Sequence, residues 1–272
     1  MLGASRSSLA QARTRLAELP GQGADLEALS VDLFAVAELL VRELPLRRAL
    51  ADPSTEGAAK AALLRSLLGE RISAPALEFL TELVGSRWSR PSDLVDAVET
   101  LAVIASFEQA LVDGTLDDVE DGLFRFGRIL ERETALREAL GDPGQPVERK
   151  RALLEQLLAG KVGPVAQRVI GAALVSVRRR SVGEAIDSFA QLAAELRERL
   201  NARVTLAVEP SAEQLDRMAQ TLSRVYGKPM GLRVEVDPAI LGGAVVRVGD
   251  EVLEASVARR LDIARRGLTQ HL

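Results

Sequence analysis

Apolar positions recur at helical spacing from near the start of the chain to about residue 200. Leu33, Val36, Ala37, Leu40, Val41 and Leu44 share one stripe, which predicts an amphipathic helix that Pro45 interrupts or follows. Leu63, Leu64, Leu67 and Leu68 mark a second helix, and Leu77, Leu80, Leu83 and Val84 a third. After Leu200 the period changes. Residues 203–208 alternate like a strand, and Pro210-Ser211 precedes an amphipathic helix through Leu215, Met218, Leu222 and Val225, which Tyr226-Gly227-Lys228-Pro229 ends. In 234–250, two alternating apolar runs flank Pro238 and Gly242-Gly243, the pattern of strand, tight turn, strand. Gly249-Asp250 offers a second turn, 251–254 a short returning strand, and Ser256 a cap for a closing helix with Val257, Leu261, Ala264 and Leu268 on one face.

The helical part repeats itself. Leu46-Arg47-Arg48-Ala49-Leu50-Ala51-Asp52-Pro53 matches Leu136-Arg137-Glu138-Ala139-Leu140-Gly141-Asp142-Pro143. Lys60-Ala61-Ala62-Leu63-Leu64 matches Lys150-Arg151-Ala152-Leu153-Leu154, and Leu33-Phe34 matches Leu123-Phe124. The offset stays at about 90 residues without a gap, which accidental Leu-rich similarity does not maintain. The expected fold is therefore mostly α, with two tandem helical-bundle domains (1–105 and 106–200) and a small α/β C-terminal module (201–272). Each Asp-Pro pair marks a corner between helices, because Pro disfavours helix in the residue before it. Residues 92–113 contain neither Gly nor Pro, and Leu94, Val95, Val98, Leu101, Ala102 and Ala105 keep helical spacing. The last helix of the first repeat then runs into the first helix of the second, with a break near Ser106 as the alternative.

Composition narrows the chemistry. Aromatic residues are 3% of the chain against 47% hydrophobic, so the core is Leu, Ala and Val, the composition of packed helices. There is no Cys, which excludes disulfides and thiolate metal sites, and the one His, His271, lies next to the C-terminus. No His-based catalysis, metal site or other cofactor is expected. A net charge of -4 opposes non-specific nucleic-acid binding, and Arg178-Arg179-Arg180 reads as a solvated helix end. No apolar run reaches the roughly 20 residues that span a bilayer, and no signal peptide is evident, so a soluble protein without direct membrane insertion is expected. Asp113, Asp117, Asp118, Glu120 and Asp121 follow a polar turn at Gly114 and read as a helix start rather than as catalytic carboxylates.

The run 234–250 and its continuation Glu251-Val252-Leu253-Glu254-Ala255-Ser256-Val257-Ala258-Arg259-Arg260-Leu261 resemble the delta subunit of bacterial F-type ATP synthases, the relative of the mitochondrial oligomycin-sensitivity-conferring protein. The residues that carry the resemblance are Asp237, Pro238, Gly242, Gly243, Gly249, Asp250, Ser256, Val257 and Leu261; Glu254 stands where an Asp is usual. Pro143, Lys150 and the Leu-rich helix 153–158 are similar to the family's helical domain. The family usually carries one such domain. The second repeat occupies its ordinary place and the first is an addition, an arrangement that resembles actinobacterial delta subunits.

The resemblance implies a non-catalytic stator subunit at the inner face of the plasma membrane. Its helical domain would hold N-terminal segments of the alpha subunits, and its C-terminal module the end of the b subunit of the peripheral stalk. By this analogy one groove would involve Phe107, Leu111, Val169 and Ala173, and its counterpart in the first repeat Leu9, Leu16, Leu77, Leu80 and Val84; the same residues also read as core. A duplicated groove would give a second alpha-binding site. Asp237, Gly242, Gly243, Gly249 and Asp250 read as turn formers that shape the sheet. The rival readings are an RNA-binding helical protein, an enzyme built on the carboxylate cluster, and a helical scaffold for an unrelated complex.

Overall fold

The computed structural model describes residues 1, 3–176, 181–226, 230–237, 240, 243–248 and 251–254, with 198–201, 203, 212, 251, 253 and 254 described by backbone alone. Two compact units divide the chain, Met1–Ala193 and Ala194–Leu272.

The first unit is all helix. Its elements are α1 (Gly3–Glu18), α2 (Leu26–Arg42), α3 (Leu44–Ala51), α4 (Gly57–Leu68), α5 (Ala74–Gly85), α6 (Pro91–Val112), α7 (Leu116–Arg132), α8 (Thr134–Gly141), α9 (Val147–Leu158), α10 (Pro164–Ser176) and α11 (Val182–Leu200), which runs on into the second unit. Helices α7 to α10 retrace α2 to α5 about 90 residues later. The stripe Leu26, Leu29, Leu33, Val36 and Leu40 of α2 is buried, as is its counterpart Leu116, Val119, Leu123, Phe126 and Leu130 of α7. Leu44 is not part of that stripe. α2 ends at Arg42, and Leu44-Pro45 opens α3, where a missing N–H costs nothing in the first turn. At the corners, Asp52 and Asp142 are extended (ψ 119° and 113°), as residues before Pro tend to be. Their carboxylates accept the N–H of Ser54 and of Gly144, both at 2.8 Å, and so close the turn.

Residues 91–112 form one helix, and the domain boundary expected at 105/106 falls inside it. α6 packs against α1, α2 and α3 of the first repeat and against α7 and α10 of the second. It is therefore buried along much of its length: Leu94, Val95, Val98, Leu101, Ala102, Val103, Phe107 and Ala110 are all buried. A hydrogen bond of 2.6 Å between the buried hydroxyls of Ser30 and Ser106 ties α2 to α6. Ser5 donates to Asp93 at 2.7 Å and accepts Ser89 N–H at 2.8 Å, anchoring α1 to the start of α6.

Local capping sets the helix starts. Asp25 accepts Ala28 N–H at 2.9 Å at the start of α2. Ser181 and Glu184 exchange bonds of 3.1 and 3.2 Å at the start of α11, a capping box. Gly114, at φ 70°, turns the chain into α7, whose first turn carries Asp117 and Asp118 where the helix dipole favours acids.

The second unit holds β1 (Asn201–Leu206), α12 (Ala212–Tyr226), β2 (Gly231–Val236), β3 (Ala244–Val248) and β4 (Glu251–Glu254). The sheet order is β2-β1-β3-β4. The strand, turn, strand pattern of 234–250 is thus not a hairpin. β2 runs parallel to β1 and β3 antiparallel to it, so β1 lies between them. The parallel pair needs a crossover, which α12 provides. Met218, Leu222 and Tyr226 of α12 pack with Val204, Met230 and Val246 in the unit's core. Asp237 N–H donates to Leu206 O at 2.8 Å, continuing the ladder past the end of β2.

Candidate partner-binding site

Among the described residues no group of His, Cys, Asp and Glu could hold a metal ion, and no helix is long and apolar enough to cross a membrane. The structural feature that offers itself for recognition is an apolar cleft of about 450 Å³ in the first unit. One wall is α2, through Val31, Phe34, Ala35, Glu38 and Val41; the other is α9 and α10, through Leu154, Leu158, Gly171, Ala172 and Val175. Glu99 of α6 also lines it.

Two ion pairs cross between these walls. Arg151 Nη2 lies 3.3 Å from Glu38 Oε2, and Arg168 Nη1 lies 3.1 Å from Glu27 Oε1. Both involve well-exposed partners and contribute little stability, on the order of 0–1 kcal/mol each. They link α2 to α9 and α10 across the cleft.

The groove residues expected from the sequence are placed mostly inside. Leu16, Leu80 and Val84 of the first repeat are buried, and Leu9 and Leu77 are partly buried against the same core. In the second repeat Phe107, Val169 and Ala173 are fully buried, while Leu111 is half-buried. The open face of α10 is the neighbouring one, with Pro164, Gln167, Arg168, Gly171, Ala172 and Val175. A 3.6-residue period identifies an apolar face but does not divide it between interior and groove.

The wall supplied by α2 was not anticipated. Its signal is nevertheless in the sequence: Val31, Phe34 and Ala35 lie off the buried stripe, and Val41, expected on that stripe, is only partly buried at its edge, so α2 carries apolar residues on a second face. At the matching places α7 carries Asp121, Phe124, Arg125 and Glu131.

Each repeat also buries one lysine beside its corner, Lys60 and Lys150. Burial pushes the Lys60 ammonium below its ordinary value, opposed by the nearby Asp52 carboxylate. Burial likewise raises the Glu120 carboxyl on α7. Neither group stands in a catalytic arrangement, and the carboxylates of 113–121 are spread along a turn and a helix start.

Of the signature residues, Asp237 and Gly243 are described. Asp237 O accepts Ile240 N–H at 3.1 Å, and Gly243 adopts φ 84°, a conformation that side chains resist. Pro238, Gly242, Gly249, Asp250, Ser256, Val257 and Leu261 lie outside the described residues, as do the closing helix, His271 and Arg178 to Arg180.

Comparison with known proteins agrees with this frame. The profile of the family described as ATP synthase delta (OSCP) subunit matches residues 103–268, from within α6 through the second repeat and into the second unit. ATP synthase subunit delta of Streptomyces griseus is 45% identical over 267 residues, covering 98% of each protein. Its namesake in Frankia casuarinae is 43% identical over 274 residues, covering 98% of this chain and 99% of that one. A chain of the Toxoplasma gondii mitochondrial ATP synthase hexamer matches 63% of this chain and 97% of its own length, at 19% identity and a TM-score of 0.31, too distant to bear on the arrangement here. The profile covers more than half of the sequence and the relatives extend over both repeats and the second unit: the chain belongs to the ATP synthase delta (OSCP) family.

Proposed function

We propose that this protein is a non-catalytic stator subunit of a proton-translocating ATP synthase. It joins the alpha subunits of the catalytic head to the b subunit of the peripheral stalk, so that the head resists rotor torque. The observation that carries this reading is the near full-length identity to curated ATP synthase delta subunits. An apolar cleft between helices supports a partner that is itself an amphipathic helix, which docks through i, i+3, i+4 and i+7 anchors. The second repeat, roughly 106–200, then takes the alpha-binding role and 201–272 the b-binding role. The protein sits at the cytoplasmic face of the plasma membrane, held there by the complex.

Calorimetric titration of the full chain with the N-terminal peptide of its cognate alpha subunit tests this directly. Binding at one or two peptides per chain is expected, two meaning that the first repeat also supplies a working groove. No binding by a chain shown to be folded by circular dichroism overturns the assignment of alpha as the partner. A parallel titration with the C-terminal segment of b tests the second unit in the same way.

A further inference from the structure

We infer that the first repeat selects the helix that the second repeat holds, because α2 forms one wall of the second repeat's cleft. This rests on the stator reading in taking the occupant to be the amphipathic N-terminal helix of an alpha subunit. It goes further in assigning specificity to Phe34 and Glu38.

The repeat itself exposes the asymmetry. The residues of α10 that line the cleft, Gln167, Gly171 and Val175, correspond to Leu77, Thr81 and Gly85 of α5, and Glu99 corresponds to Leu9 of α1. In the first repeat no earlier helix of the described chain stands where α2 stands in the second. The cleft is therefore a composite, one wall from α2 of the first repeat and the other from α9 and α10 of the second.

The shape of the cleft fits a helix. From Val31 to Val41 the α2 wall runs about 15 Å, at about 1.5 Å per residue, which matches about three turns of a partner helix. Its apolar lining, Phe34, Leu154, Leu158 and Val175 among others, matches an apolar stripe. Its charged lining is three carboxylates, Glu38, Glu99 and Glu155, against the guanidinium groups of Arg151 and Arg168. The rim is net acidic, so the occupant carries Lys or Arg along its polar flank.

The test uses the full chain and a synthetic peptide of the alpha N-terminal segment, read by titration calorimetry and by a fluorophore on Arg42→Cys. The chain has no cysteine of its own, so the label reports the open end of α2 alone. Phe34→Asp is expected to weaken binding by about tenfold or more, while the matched Phe124→Asp leaves it unchanged. Glu38→Lys lies on the rim and keeps the test valid if Phe34→Asp fails to fold; a loss of about threefold that disappears in high salt is expected. Binding to all variants alike, with no response from the label, overturns this inference and leaves the stator reading standing. No binding to the wild-type chain overturns both. A dimer in sedimentation that Phe34→Asp abolishes would assign the cleft to a second copy and also overturn it.

Discussion

Helices α2 and α7 are the same element copied once, yet they do different work. Their buried stripes match position for position, from Leu26 and Leu116 to Leu40 and Leu130. Their other faces diverge. α2 packs along α6 and borders the cleft, so Ser30 and Ala37 are buried and Val31, Phe34, Ala35 and Val41 are apolar. On α7 the matched positions include Asp121, Arg125 and Glu131, and Phe124 is 66% exposed. A second difference lies at the approach to α5 and α10. Asp32 of α2 accepts Ser73 N–H at 2.8 Å, capping α5. Its counterpart on α7 is Gly122, where a Cβ would come within 3.3 Å of Ala166 and Val162. The same contact is made once by a cap and once by omitting a side chain. Duplication therefore preserved the stripe that each bundle needs internally. It left free the faces whose surroundings differ.

The shared helix α6 is where this comparison breaks most severely. Ala102→Pro removes a hydrogen bond and clashes in the middle of α6, costing about 3 kcal/mol or more. Because α6 belongs to both cores, urea denaturation followed by circular dichroism is expected to lose both repeats together. A second repeat that melts separately at its original midpoint would show that the bundles are independent. Less severe is Ser106→Val, which leaves the Ser30 hydroxyl buried without its partner and costs about 1–3 kcal/mol; replacing both serines by Ala recovers part of the loss. Recovery of nothing would mean that packing, not the hydroxyl pair, dominates there.

Between the matched phenylalanines, Phe34→Ala is expected to cost about 1–2 kcal/mol through lost burial, and Phe124→Ala to stay within about 0.5 kcal/mol. Equal losses would mean that Phe124 is covered in solution. Gly127→Ala runs the other way. The first repeat already has Ala37 at that position, and a Cβ on Gly127 would meet Ile186 at an ordinary 3.7 Å. A gain of about 0.5–1 kcal/mol in urea melts is expected from helix propensity.

The smallest effect concerns the corners. Hydrogen bonds from Ser54, first from its N–H and then from its hydroxyl, hold the Asp52 carboxyl below its usual value. A carboxylate held low in the folded state stabilises above its unfolded value and loses that contribution as pH falls through its folded one. Asp52→Asn should therefore lower Tm slightly at pH 7 and not at all below the folded-state value. Asp142→Asn, which keeps an amide oxygen able to accept Gly144 N–H, should give the smaller change. A difference that persists in strong acid would contradict the charge as the cause.

Much of the fold was legible because it depends on local rules. The stripe of α2, the Asp-Pro corners and the change of period after Leu200 each follow from periodicity or backbone restriction within a few residues, whereas only the structure decides that 91–112 is one helix without a break at Ser106. Strand pairing was not legible in this way. Residues 234–250 show two strands and a turn, but nothing local says that β1 inserts between them, because that pairing depends on a segment about 30 residues upstream. The candidate site fell between these cases. Phe107, Val169 and Ala173 were correctly seen as apolar and lie in the core, while the open cleft uses the adjacent face of α10 and the second face of α2.

The sequence by itself determined the kinds of element, the repeat and the family, because these are written in spacing and in motifs that survive without a partner. Only the tertiary structure decided that α6 serves two cores, that β1 is central, and that the first repeat walls the cleft of the second. Those outcomes depend on which apolar face meets which. Burial is non-directional and roughly proportional to area, so an apolar stripe specifies that it must be covered but not what covers it.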